Sequence, residues 1–172
     1  AVVGGYPAAL SDLTRALSLH EAAGQPGDAR NVLTSVASLY SRMGATEEAR
    51  QHYETVLRSI PDGPASLERL MAQYNLGRSL EPLVRWDEAQ HWYALALAQG
   101  RELGDLRGQL HALRGLAATR NARGDGQQAQ KVLDEAQGLL PQVHDESLRG
   151  QLLTQRGAAL RLLRRPVEAQ PL

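Results

Sequence analysis

Residues 32–61, VLTSVASLYSRMGATEEARQHYETVLRSIP, decide the fold of this chain. Apolar residues recur at helical spacing on both sides of Met43-Gly44-Ala45, which predicts two amphipathic helices joined by a tight turn. The two apolar stripes are Leu33, Val36, Ala37 and Tyr40, and then Ala49, Tyr53, Val56 and Leu57. One hairpin cannot bury both stripes, so the unit needs neighbours of its own kind.

The rest of the chain supplies those neighbours. Alanines occur at positions 9, 49, 89, 129 and 169, each 40 residues after the one before, within the similar runs YPAAL, TEEAR, WDEAQ, GQQAQ and PVEAQ. A fixed period of this length indicates a helical repeat array. The predicted units are a half repeat at 1–23, repeats at 26–61, 64–103 and 105–141, and a truncated repeat at 145–172. Because the pattern starts and stops in mid-repeat, we expect a fragment of a longer solenoid, able to self-associate through its C-terminal end.

The order of residue types resembles the tetratricopeptide repeat (TPR), whose pattern is W-x2-L-G-x2-Y…A-x3-F…P. The matching residues are Leu33, Val36, Ala37, Tyr40, Ala49, Tyr53 and Pro61; Leu76, Gly77, Leu80, Ala89 and Tyr93; Leu113, Leu116, Ala117, Ala129, Leu133 and Pro141; and Leu153, Gly157, Leu160 and Ala169. The period is 40 residues here, against 34 in the usual repeat. The resemblance implies an all-α, right-handed superhelix of antiparallel helix pairs, in which the first helix of each repeat lines a concave, protein-binding surface. It also implies the sensory or regulatory segment of a larger bacterial signalling protein in the cytoplasm.

Composition argues against several other classes of protein. The formal net charge is zero, whereas nucleic-acid-binding proteins usually carry a basic excess. No apolar run is long enough to span a bilayer, and there is no cysteine. The five histidines are scattered without metal-ligand spacing, and no catalytic motif is present. We therefore expect no metal, no cofactor, no nucleic-acid or membrane partner, and no enzymatic activity within these residues.

The candidate site is the polar face of the first helices. Its predicted members are Asn31, Thr34, Ser38, Arg42, Tyr74, Asn75, Arg78, His111, Arg114, Asn121, Thr154, Gln155 and Arg161. Four arginines on this face outnumber its single acid, Glu81, so the expected ligand is an extended, acidic peptide. Arg78 and Arg114 should reach one bound segment, since neighbouring helices lie about 8–10 Å apart. The alternative for the face is an ordinary solvated surface. For the protein, the alternatives are an architectural scaffold or the regulatory part of an enzyme whose catalytic domain lies elsewhere.

Three local predictions accompany this interpretation. Thr46, Asp87 and Asp105 are expected to cap the helices that follow them, because their side-chain oxygens can accept hydrogen bonds from free backbone N–H groups. Small residues should allow close helix approach at Ala37, Gly77, Ala117 and Gly157. Arg120 and Arg156 replace apolar residues of the TPR pattern, so they are expected in the groove, at its rim or at an interface.

Overall fold

The computed structural model describes residues 5–164, which contain eight α-helices and no strand. The helices are α1 Tyr6–Ala22, α2 Pro26–Met43, α3 Thr46–Ser59, α4 Leu67–Leu80, α5 Trp86–Leu103, α6 Leu106–Ala122, α7 Gly126–Leu139 and α8 Glu146–Arg164, with a short 3-10 turn at Leu140–Gln142. The all-α class is confirmed for these residues. The predictions made for residues 165–172, including the repeat alanine Ala169, lie outside the described residues, as do residues 1–4.

The helices alternate between two layers. Each helix packs against the next one along the chain through a short connection, and α4 also packs on α6 and α6 on α8. We call α2, α4, α6 and α8 the even-numbered layer. The odd-numbered helices begin at Tyr6, Thr46, Trp86 and Gly126, which are 40 residues apart, the same interval as the alanines. The structure is therefore a helical repeat.

The helix boundaries follow local chemistry, with two corrections to the predicted caps. Gly44 and Gly104 end α2 and α5 with φ of 79° and 66°, a conformation that glycine adopts without strain. Asp105 caps α6 as expected, accepting a hydrogen bond from the Gly108 N–H at 3.1 Å. Thr46 and Asp87 do not cap. Each lies inside its helix, Thr46 donating to the Gly44 carbonyl and Asp87 pairing with Arg123 of the next repeat.

The core is built around the repeat alanines and the large residue four positions later. Ala89 and Tyr93 of α5 are fully buried, and the same two positions in the neighbouring repeats are buried as well. The ring of Tyr93 leaves no room for a side chain at Gly77 or Gly115, where an added Cβ would come within 2.9 Å and 2.5 Å of it. Gly77 is thus a point of close approach, as predicted.

At Gly157 the prediction of close approach is wrong. An added Cβ there would meet only a guanidinium nitrogen of Arg161, at 3.6 Å, which is an ordinary contact. In this part of the array the close contact lies at Gly126 of α7 instead. A Cβ on that residue would come within 2.9 Å of the Ala159 carbonyl oxygen in α8.

Side-chain pairs tie successive repeats together. Arg30 of α2 binds Glu68 of α4 through two hydrogen bonds of 2.5 and 3.2 Å, and Arg101 of α5 binds Glu135 of α7 at 2.5 Å. Such pairs on a surface contribute little stability individually.

Arg120 and Arg156 also make contacts between helices. Arg120 donates to the Gln128 carbonyl at 3.0 Å, and Arg156 binds Asp134 and Gln137. Both arginines therefore bind α7, and the expectation that they lie in the groove, at its rim or at an interface stays a prediction. No helix of residues 5–164 combines the length and the apolar character needed to cross a membrane.

Candidate binding cleft

A cleft with a volume of about 810 Å³ lies between α4 and α6 in the even-numbered layer. Its lining is Leu67, Leu70, Met71, Tyr74, Asn75 and Arg78 from α4, Asp105, Arg107, Gly108, His111 and Arg114 at and within α6, and Gln151 from α8. Five of the thirteen residues predicted from the sequence thus come together in one place. They are Tyr74, Asn75, Arg78, His111 and Arg114.

Arg114 is held in the wall of this cleft by Tyr74. One guanidinium nitrogen donates to the Tyr74 hydroxyl at 3.0 Å, and the guanidinium carbon lies 5.9 Å from the centre of the same ring. The Nε atom of Arg114 is buried and makes no hydrogen bond to the described residues. Burial opposes the charge on Arg114, but the Tyr74 hydrogen bond and the nearby charge of Glu81 outweigh it and raise its pKa. The cleft therefore keeps a positive charge at a fixed position.

Tyr74 packs against the buried Tyr93, which in turn binds Glu81. The rings of Tyr74 and Tyr93 have centres 5.7 Å apart, and the Tyr93 hydroxyl donates to the carboxylate of Glu81. Burial, followed by the charge of Glu81, raises the pKa of Tyr93 far above that of an ordinary tyrosine. Glu81 is thus engaged with a buried hydroxyl, so the one acid expected on this face is already bound.

His111 completes the aromatic wall. Its ring centre lies 5.4 Å from that of Tyr74, and its Nδ1 atom is buried without a hydrogen-bond partner among the described residues. Burial and the charges of Arg114 and Arg107 lower the pKa of His111, so the imidazole is neutral at pH 7.

The other charged side chains that line the cleft differ in whether they already have a partner within the protein. Arg107 binds Asp145 at 2.7 Å, and Asp105 is occupied as the cap of α6. Arg78 is exposed and has no ion-pair partner within residues 5–164. Arg78 and Arg114 are therefore the cations lining the cleft that have no ion-pair partner in the part of the chain that the structure describes.

Several other predicted residues lie near the cleft without lining it. Asn31 and Thr34 line a second, shallower cleft of about 440 Å³ between α2 and α4, which shares Leu67 and Met71 with the first. The two clefts therefore meet along α4. Arg42, Thr154 and Arg161 are exposed on α2 and α8 and line neither of them.

Three predicted residues have their polar groups engaged within the protein. The Ser38 hydroxyl lies 2.9 Å from the Tyr53 hydroxyl of α3, so it points into the hairpin. Asn121 donates to the backbone and side-chain oxygens of Gln155 at 2.9 and 3.0 Å, which joins α6 to α8.

Seven lining residues are not among the thirteen predicted ones: Leu67, Leu70, Met71, Asp105, Arg107, Gly108 and Gln151. The 40-residue period would have found two of them, Met71 and Gln151, because each lies one period from the predicted His111. Leu67 and Arg107 are one period apart, as are Met71, His111 and Gln151, and Tyr74 and Arg114. Residues one period apart lie at equivalent positions of neighbouring even-numbered helices, so they face each other across the cleft.

Within residues 5–164 no three His, Asp or Glu side chains come together in a way that could hold a metal ion. Comparison with solved structures shows a similar fold in BtubC (BKLC) from P. vanneervenii, with a TM-score of 0.84 at 20% sequence identity, over 93% of this chain and 67% of that chain. No protein-family model and no curated protein sequence matches the chain. At this level of identity the likeness concerns the fold alone.

Proposed function

We propose that this chain is a TPR-type array that binds an extended, acidic segment of a partner protein in the cleft between α4 and α6. The observation that carries the proposal is the pair of cations Arg78 and Arg114, which have no ion-pair partner within residues 5–164, in a cleft whose one lining acid, Asp105, caps α6. Arginine binds carboxylates through paired hydrogen bonds, and the contact is stronger where water is partly excluded. A bound segment would meet this condition at Arg114, whose side chain is half-buried.

The TPR-type assignment draws its support from the period. Alternate helices start 40 residues apart, and the repeat alanines Ala49, Ala89 and Ala129 are buried. Helix α6 packs against both α4 and α8. These are features of an array whose first helices line one surface. A right-handed superhelix would make that surface concave. Such an array would serve as the regulatory or sensory segment of a bacterial signalling protein.

The test is a titration with pools of acidic and basic peptides at low salt. The acidic pool should bind more tightly, and its affinity should fall steeply with added salt, because the Debye length shrinks to about 10 Å at 0.1 M. Arg78→Ala should weaken the acidic pool about fivefold, which corresponds to about 1 kcal/mol for an exposed ion pair.

Arg58→Ala provides the matched control, since Arg58 is an exposed arginine on α3, outside the even-numbered layer. It should leave the affinity unchanged. Equal affinity for the two pools, or equal effects of the two substitutions, would refute the proposed function.

One observation favours an architectural role as the second candidate. Leu153, Leu160 and Leu163 of α8 are exposed, with 59%, 42% and 45% of their surface accessible. Exposed leucines on one helix are typical of a surface that packs against another molecule. The expected partner is a second copy of this chain.

A further inference from the structure

We propose that the cleft selects acidic segments that also carry an apolar side chain, placed four residues from the acidic one. This inference rests on the proposed function and adds a sequence rule to it. It follows from the difference between the two ends of the cleft, which lie along the axis of α4.

The N-terminal end of the cleft exposes two large apolar side chains. Leu67 and Met71 line it with 57% and 47% of their surface exposed, above the buried Leu70. Two charged residues also line this end: Arg107, which pairs with Asp145 at 2.7 Å and has 67% of its side chain exposed, and Asp105, which caps α6. A ligand therefore finds exposed apolar surface here, and burying such surface favours binding.

The C-terminal end is basic and aromatic. Arg78 is exposed, and the half-buried Arg114 has a buried Nε that lacks a partner among the described residues. The Tyr74 hydroxyl accepts a hydrogen bond from the Arg114 guanidinium, which fixes its position. An acidic side chain at this end would meet two positive charges.

The length of α4 sets the spacing between the two contacts. Met71 and Arg78 are seven residues apart and Leu67 and Arg78 eleven, which correspond to about 10 and 16 Å along a helix that rises 1.5 Å per residue. An extended peptide advances about 3.3 Å per residue, so the two ends are about three to five peptide residues apart. Alternate side chains of an extended peptide point to opposite sides, so both can face the cleft only at an even separation. Four residues is the separation that meets both conditions.

The probes are twelve-residue peptides of serine and threonine, acetylated and amidated so that their ends carry no charge. Each contains one glutamate and one leucine at a separation of two to six residues, in either order, and a parent peptide has serine in place of leucine. Affinities are measured by NMR titration at low salt. In one of the two orders, separation four should bind at least threefold more tightly than separations three and five, and about tenfold more tightly than the parent.

Substitutions at the apolar end assign the effect to this cleft. Met71→Ser should reduce the affinity for the peptide with separation four to that for the parent peptide. It should leave the affinity for the parent peptide unchanged. Leu67→Ser, at a second exposed position, should act in the same direction. Met43→Ser is the control, because Met43 is similarly exposed, at 42%, but lies at the end of α2 outside the cleft. Thermal unfolding should show that all three variants remain folded, as expected for exposed positions.

The outcomes separate this inference from the proposed function. If the peptides bind equally well at every separation, or leucine adds nothing to the parent, the spacing rule is overturned while binding of acidic segments stands. If Met43→Ser has the same effect as Met71→Ser, the apolar contact lies elsewhere and the inference is also overturned. If acidic peptides bind no better than basic ones, both proposals fall.

Discussion

Gly115→Ala tests whether the packing of Tyr93 against its neighbouring helices determines the stability of the array. A Cβ at this position would lie 2.5 Å from Cε1 and Cζ of the Tyr93 ring and 2.6 Å from Cε2. The ring is fully buried, its hydroxyl is bound to Glu81, and Gly77 of α4 also packs against it. The ring has no free direction in which to move, so α6 itself must shift.

The magnitude follows from two opposing effects. Overpacking a core costs about 1–3 kcal/mol, and a fixed aromatic ring favours the upper part of that range. Alanine in a helix is about 1 kcal/mol more favourable than glycine. We therefore expect Gly115→Ala to lower the free energy of unfolding by about 1–2 kcal/mol.

Urea unfolding followed by circular dichroism measures this change, provided that the slope against urea concentration stays constant. Gly150→Ala in α8 is the control, because a Cβ there meets nothing within 4 Å. It should stabilise the protein by up to about 1 kcal/mol. In a Tyr93→Leu background, most of the cost of Gly115→Ala should disappear. If Gly115→Ala stabilises the protein as much as Gly150→Ala does, the close packing described here is wrong.

Two further predictions concern the buried tyrosine and the exposed face of α8. Because the pKa of Tyr93 is raised in the folded protein, only the unfolded chain loses the hydroxyl proton just above pH 10, and the free energy of unfolding should fall as the pH rises past that value. In urea titrations, Tyr93→Phe should make this fall less steep. An equally steep fall in the variant would contradict the raised pKa of Tyr93. If the wild type self-associates through α8, Leu153→Glu should shift it toward monomer in sedimentation experiments at high concentration. Gln151→Glu, on the same helix, is the control. A monomeric wild type would rule out self-association through the α8 leucines.

The elements of the fold could be predicted because their signals are local. The alanines repeat every 40 residues, and Gly44 and Gly104 mark helix ends by backbone conformations that other residues adopt at a cost. Of the two cap errors, the one at Thr46 involves a local bond to the Gly44 carbonyl, and the one at Asp87 involves a contact with a distant residue. The Asp87 carboxylate could have capped α5, but it binds Arg123, which is 36 residues away along the chain.

The site could be predicted only in part, for the same reason. Helical spacing identifies which side chains share a face, and it correctly grouped Tyr74, Arg78 and Arg114. It does not identify which polar groups bind one another, such as Asn121 and Gln155. Nor does it show that Arg107 is paired while Arg78 is available, because both facts depend on the positions of neighbouring helices.

The most direct test of the central claim is a map of where an acidic peptide contacts the protein. Backbone amide signals of ¹⁵N-labelled protein should be followed by NMR as the peptide is added at low salt. The proposed function predicts that the largest shifts fall on α4 and α6, around Tyr74, Arg78 and Arg114, and that they vanish as salt is added. Shifts concentrated on α3, α5 or α7, or no shifts at all, would contradict it.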